Sequence, residues 1–106
     1  MYNLTWSASE KKLSRRLFDA ALEAELAEVM AEFKAKAASA TTPQDMWDVQ
    51  EFLARKGREI DEKYDYRHSQ LVLVFAKLIR EGRLKEEQLE CLAEEKLSFV
   101  ARLLSL

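Results

Sequence analysis

The sequence predicts an all-α homodimer in which each chain forms an extended helical hairpin, the stalk, and a small helical head. Three observations support this fold class. The 106 residues include only two Gly and one Pro, so strong helix formers run with almost no turn residues between them. Apolar residues recur with helical period through highly charged segments. A domain of this size buries a modest share of its own surface, so a second chain would add stability.

The first helix begins at a capping box formed by Ser7 and Glu10, with Trp6 in front of it as the staple residue. The helical pattern continues to about Ala38. One face carries Phe18, Leu22, Leu26, Val29 and Phe33, and the opposite face carries Ala20, Ala24, Ala27, Ala31, Ala35 and Ala38. Packing in one hairpin covers a single face. The alanine face therefore suits a helix of a second subunit, although alanine is also a good filler on a solvated face.

The second helix starts with Thr42 as N-cap and Pro43 in the first helical position. No comparable stop follows before Gly82, so residues 43–81 form one long helix or two helices with a break near 61–68. The in-phase apolar positions are Met46, Val49, Leu53, Ile60, Tyr64, Leu71, Val74, Phe75 and Leu78. Residues 71–76 are apolar on all sides, which predicts burial on every side.

A third helical segment is expected from about Lys85, with an apolar side that runs from Leu89 to Leu104. Lys96 lies in the middle of that stripe, where its ammonium must reach solvent or meet an acid. The whole chain, residues 1–106, is expected to be one domain, with the stalk at about 8–68 and the head at about 69–106.

Composition limits the function classes. The formal net charge of −2 gives no field that attracts nucleic acid, and no apolar run is long enough for an integral membrane segment. One Cys and one His leave no set of residues at the spacing of a metal site. We expect a cytoplasmic protein without metal or other cofactor.

The second helix has an outer face away from its main apolar stripe. Trp47, Glu51, Ala54 and Arg58 follow one another there at +4, +7 and +11. Because aromatic and Arg side chains dominate interface energetics, this outer face is a candidate surface for a partner or for the dimer. Gly57 interrupts the same helix at a cost of about 1 kcal/mol relative to Ala, either to admit close packing or without a role.

The order and spacing of several short motifs resemble the fluorescence recovery protein family over most of the chain. These motifs are Trp6, Leu17-Phe18, Asp45-Met46-Trp47, Glu51-Phe52-Leu53, the run from Arg58 to Arg67, Val74-Phe75-Ala76, Glu81-Gly82 and the run from Leu89 to Lys96. The resemblance implies a non-enzymatic stalk-and-head homodimer that binds the C-terminal domain of the orange carotenoid protein. Such a protein accelerates the client's return from red to orange, releases it from the phycobilisome and ends fluorescence quenching.

The resemblance also implies site residues. The family's surface tryptophan matches Trp47, and its head phenylalanine and lysine match Phe75 and Lys96. Its neighbouring acid, usually Asp, is Glu51 here. Its surface arginine falls on Gly57, and the adjacent Arg58 points about 100° away round the helix. These six residues are the predicted partner-binding or dimer positions, and the loss of the arginine implies weakened activity. In a cyanobacterium the protein is expected on the cytoplasmic side of the thylakoid through its client.

Two other functions compete with this one. The first is a dimeric scaffold or chaperone-like binding module of the same fold with a different client. The second is a helical enzyme of the chorismate mutase type, because Arg58-Glu59-Ile60-Asp61 is similar to the Arg-x-Ile-Asp motif of that enzyme. That enzyme needs several cations that converge on a dicarboxylate, whereas here acids crowd the same faces. The sequence therefore favours a non-enzymatic protein.

Overall fold

The computed structural model describes residues 4–106, which are helical with no β-strand, as the sequence predicts. Its elements in chain order are α1 (Ala8–Ser39), α2 (Pro43–Lys63), α3 (Leu71–Arg80), a 3-10 helix (Glu86–Leu89) and α4 (Glu94–Leu104). Contacts group the chain into two compact units. The terminal unit comprises the residues up to Ala21 together with Asp65–Leu106, and the hairpin unit is Leu22–Tyr64. None of the helices in the described part of the chain is both long and apolar enough to cross a bilayer.

Side-chain caps fix the first two helix starts. The Ser7 N–H donates to Glu10 Oε1 over 3.0 Å, and the Glu10 N–H donates to Ser7 Oγ over 3.2 Å. At α2 the Asp45 N–H donates to Thr42 Oγ1, and the Thr42 N–H donates back to Asp45 Oδ2. Both reciprocal pairs satisfy amide groups that a helix start leaves without partners. The predicted caps are confirmed.

The long second helix is broken in the structure. α2 ends at Lys63, and α3 begins only at Leu71. In between, the Asp65 carboxylate accepts hydrogen bonds from the Arg67 N–H and from its guanidinium. This local bonding competes with helical hydrogen bonds, so the continuous form of residues 43–81 is excluded and the break near 61–68 is confirmed.

α3 ends where the sequence predicts a stop. Gly82 has φ of +76°, and its N–H donates to the Ile79 carbonyl while the Arg83 N–H donates to that of Leu78. This is a Schellman motif, which requires the left-handed conformation that glycine adopts without strain. The α3 residues expected to be buried on every side are buried, except that Leu73 is half-buried.

The third helical segment starts later than predicted. A 3-10 helix covers Glu86–Leu89, and α4 begins only at Glu94. Ala93 is extended, with ψ of 148°, and its N–H donates to Glu10 Oε2 over 2.7 Å. A hydrogen bond to a residue far away in sequence therefore takes the amide that a helix from Lys85 would have used.

In the hairpin unit, the second part of α1 runs antiparallel to α2. Glu25 contacts Lys63 near the open end, and Lys36 lies 5.1 Å above the Phe52 ring near the turn at residues 40–42. Phe52 and Ile60 are buried, whereas Met46 and Leu53 of the predicted stripe are exposed. α1 therefore covers only one edge of the broad apolar stripe of α2.

The terminal unit has a dense apolar core. α3 packs against α4, and the side chains with almost no exposed surface include Leu71, Val72, Phe75, Leu78 and Leu89. Phe18 packs edge-on against Tyr66 at 4.9 Å, and Trp6 stacks on His68 at 5.9 Å. Burial raises the pKa of the Tyr66 hydroxyl, while the nearby Arg15 guanidinium lowers it in part.

Candidate protein-binding surfaces

The outer face of α2 is exposed, as the sequence predicts. Trp47 leaves 58% of its surface open, and Glu51, Ala54 and Arg58 are exposed as well. Their spacing places them on one side of the helix, turned away from α1. A large aromatic ring beside an acid and a base is typical of an interface anchor with charged neighbours.

A second surface, the apolar face, lies on one side of the hairpin. Leu26 follows the buried Glu25, and Leu53 follows the buried Phe52, so each is turned by about 100° from the contact between the helices. In two antiparallel helices, a turn of the same sense brings both side chains to the same side of the pair. Met30 and Met46, each 56% exposed, extend this apolar face.

The sequence did not single out the apolar face because its residues lie within the apolar stripes of α1 and α2. A signal was present: the apolar stripe of each helix is wider than one neighbouring helix can cover. The alanines expected to meet a second subunit are exposed too, from Ala20 to Ala38. They form a separate surface on the far side of α1.

Gly57 lies at the edge of the apolar face, four residues after Leu53, and is turned by about 80° from Trp47. A Cβ atom at this position would meet no atom within 4 Å. Close packing at Gly57 therefore does not occur within the described chain, and any close approach there must involve another molecule.

Phe75 and Lys96 are buried, unlike the predicted site residues of α2. Phe75 has no exposed surface and belongs to the core of the terminal unit, and Lys96 is 3% exposed. The Lys96 Nζ lies 3.0 Å from Glu10 Oε1 and donates to the Thr5 carbonyl over 2.6 Å. Of the two sequence alternatives for this lysine, the structure shows the meeting with an acid.

Glu10 is the centre of this buried group. Burial opposes its ionisation, but the N–H groups of Ser7 and Ala93 and the Lys96 ammonium outweigh burial, and the pKa of the carboxyl falls to about 2. One carboxylate thus caps α1, holds the first amide before α4 and pairs with a buried lysine.

The hairpin unit contains a similar buried group. Glu25 accepts a hydrogen bond from the Tyr64 hydroxyl over 2.8 Å, and its nearest oxygen lies 2.7 Å from the Lys63 ammonium. Paired and hydrogen-bonded charges of this kind can remain in an interior. They join the end of α2 to α1.

The described residues also form open grooves. A groove of about 460 Å³ lies beside α3 and the end of α4, with Leu73, Lys77, Arg80 and Leu103 among its walls. Within residues 4–106, no group of three or more His, Cys, Asp and Glu side chains converges in a way that suits a metal ion.

Comparison with known proteins gives consistent matches along the chain. The family model described as "Photoprotection regulator fluorescence recovery protein" matches residues 6–104. The fluorescence recovery protein of Synechocystis sp. (strain ATCC 27184 / PCC 6803 / Kazusa) is 39% identical over 98 residues, which are 92% of this chain and 90% of that protein.

Solved structures of similar proteins share the fold. The fluorescence recovery protein of Fremyella diplosiphon superposes with a TM-score of 0.90 at 34% identity, over 96% of this chain and 100% of that one. The protein from Synechocystis sp. PCC 6803 gives a TM-score of 0.89 at 38% identity with the same coverage. Similarity therefore extends over both the terminal unit and the hairpin unit.

Proposed function

The chain belongs to the fluorescence recovery protein family of photoprotection regulators, and from that premise we propose that it binds the C-terminal domain of an orange carotenoid protein. By binding, it accelerates the client's red-to-orange reversion, releases the client from the phycobilisome and ends quenching. Its action on this client is cytoplasmic. The observation that carries the proposal is Trp47, a family position whose ring is largely exposed beside Glu51.

The proposed mechanism requires no catalytic group. A protein shifts a two-state client only to the extent that it binds one state, or the transition between states, more tightly. The outer face provides an aromatic anchor, an acid and a base for such differential binding. Cofactors and metals have no part in it.

We further propose a homodimer that buries the apolar face. Leu26, Met30, Met46 and Leu53 are exposed on the same side of the hairpin, and burial of apolar area is the main driving force of association. This assignment replaces the alanine face as the dimer surface. It leaves the outer face, which points away from α1, available to the client.

Two residues suggest a weaker regulator. Gly57 stands where the family has an arginine, and loss of a charge-assisted contact costs about 1.5–3 kcal/mol. Glu51 places the family's acid one methylene further out. The same departures support the second candidate, a dimeric binding module of this fold whose client is not a carotenoid protein.

The experiment follows the dark relaxation of a photoactivated orange carotenoid protein by absorbance, with and without this protein. We expect faster relaxation, a smaller effect with Trp47→Ala and a larger one with Gly57→Arg, whose Cβ would meet no atom within 4 Å. Lys34→Ala, an exposed change on α1, is the control. No acceleration by either the wild type or Gly57→Arg would contradict this client and favour a different one.

A further inference from the structure

The terminal unit contains a polar cluster around the buried Glu10 and Lys96 side chains, and its members come from three parts of the chain. This Glu10 cluster consists of Thr5, Trp6, Ser7, Glu10, Ala93 and Lys96. Glu10 is the first-turn acid of α1, Ala93 precedes α4 and Lys96 lies in the first turn of α4. The cluster therefore joins the chain before α1 to the start of the last helix.

The Lys96 ammonium is bound by groups of its own chain. Its ammonium contacts the Glu10 carboxylate and the Thr5 carbonyl, and it lies 4.9 Å from the centre of the Trp6 ring. A buried charge is tolerated only when paired and hydrogen-bonded, and removal of one partner leaves the other uncompensated. A client that used this ammonium would first have to break three contacts.

The cluster lies at the start of α4. α4 packs on α3, and the end of α4 forms one wall of the groove that contains Leu73 and Lys77. Trp6 also stacks on His68, just before α3. The segment that carries Thr5 and Trp6 is thus held between the starts of α3 and α4, the two helices that form the groove.

We propose that Lys96 is a positioning residue, which acts with Glu10 to hold Thr5 and Trp6 against α4 and so shapes the terminal unit for its client without contacting that client. The client clause of this proposal, that the cluster shapes the terminal unit for its client, rests on the proposed function. The structural clause, that Glu10 and Lys96 hold Trp6 against α4, does not, because it concerns the accessibility of Trp6 alone.

The structural clause is tested by the fluorescence of Trp6 in a Trp47→Phe background, where Trp6 is the sole tryptophan. Acrylamide should quench the buried Trp6 weakly. Glu10→Gln and Lys96→Met should both raise the quenching constant severalfold, whereas Lys12→Met, which changes an exposed lysine of the same unit, should not. A Trp6 that stays protected in both cluster variants would overturn the proposal.

The client clause is tested with full-length photoactivated orange carotenoid protein, at a temperature where all variants are folded by circular dichroism. We expect Glu10→Gln and Lys96→Met, each with Trp47 intact, to lose acceleration to the same degree. The double variant should lose no more than either single variant, because the residues act as one unit.

Two results would contradict the client clause. Loss of acceleration in Lys96→Met but not in Glu10→Gln would make Lys96 a client contact. Full acceleration in both variants despite an accessible Trp6 would show that the cluster does not shape the client surface. If the wild type itself has no effect on this client, the proposed function fails while the quenching test still decides the structural clause.

Milder variants keep the test usable if the first ones unfold. Glu10→Asp and Lys96→Arg preserve both charges and change only the reach of the side chains. Each should raise Trp6 quenching less than loss of the charge does, and quenching equal to the wild type in both would count against the proposal.

Discussion

The two units differ in how far they bury their apolar residues, although each contains a buried ion pair. Among the described residues, the terminal unit buries or half-buries its large apolar side chains, apart from the largely exposed Leu106, and it also buries a lysine. The hairpin unit leaves Leu26, Met30, Met46, Trp47 and Leu53 exposed. A single two-helix layer cannot cover two broad stripes, whereas the terminal unit surrounds α3 with other segments. The terminal unit therefore covers its own apolar residues, whereas the exposed apolar residues of the hairpin unit are those that we propose other molecules cover.

The largest loss of stability is expected from truncation in the terminal core. Leu78 has no exposed surface, so Leu78→Ala should lower the free energy of unfolding by about 2–5 kcal/mol through lost burial and a cavity. Leu106→Ala, in the same unit but 88% exposed, is the matched control and should have little effect. Chemical denaturation measures both. Equal losses would contradict the assignment of the core.

Acid should weaken the terminal unit through Glu10. The pKa of this carboxyl is lowered from 4.5 to about 2, so its stabilising contribution is present above pH 4.5 and is lost as the pH falls to about 2. The shift corresponds to on the order of 3 kcal/mol. Denaturation measured between roughly pH 6 and pH 2 should show this loss, because that range spans both pKa values. Glu10→Gln should remove that part of the pH dependence, and an unchanged profile in the variant would contradict it.

A smaller effect is expected at the turn of the hairpin unit. Thr42→Ala removes the oxygen that accepts the Asp45 N–H, which should cost about 1 kcal/mol. Thr41→Ala keeps the backbone N–H at position 41, which donates a hydrogen bond to Asp45. This variant should therefore lose less stability than Thr42→Ala. Thermal unfolding at one fixed protein concentration compares them. A greater loss of stability in Thr41→Ala would show that Thr42 is not the N-cap.

The smallest change is expected at Gly57, where Ala should stabilise α2 by up to about 1 kcal/mol because its Cβ has free space. Gly82→Ala is the opposing control, since φ of +76° strains any residue with a Cβ. A destabilised Gly57→Ala that also dissociates would show that another molecule packs closely on Gly57.

Helix starts and stops could be predicted from sequence because their causes are local. The Ser7 and Thr42 hydroxyls accept hydrogen bonds from amides three residues later, and the Gly82 N–H donates to the carbonyl of Ile79, three residues earlier. The late start of α4 could not be predicted, since it depends on the bond from Ala93 to Glu10, 83 residues apart. The exact site of the break after Lys63 likewise involves Glu25, which holds Lys63 and Tyr64.

The candidate surfaces were partly predictable. Trp47 lies off the main stripe in the sequence, and its exposure follows from helical spacing alone. The exposure of Met46 and Leu53 does not, because spacing cannot tell which edge of a broad stripe the neighbouring helix covers. Nor does it show the partner of a buried charge, so the roles of Glu10 and Lys96 required the structure.

The proposal that the hairpin unit binds a second chain through its apolar face is tested most directly by light scattering of two charge variants on α1. Met30→Glu introduces an acid on the apolar face, and Ala27→Glu introduces one on the alanine face. Scattering is measured at about 10 μM, a concentration at which a dimer with a dissociation constant of about 1 μM or lower is largely associated. We expect the wild type and Ala27→Glu to scatter as dimers of about twice the 12.3 kDa chain mass, and Met30→Glu as a monomer. A monomeric wild type, or dissociation by Ala27→Glu with a dimeric Met30→Glu, would contradict the account.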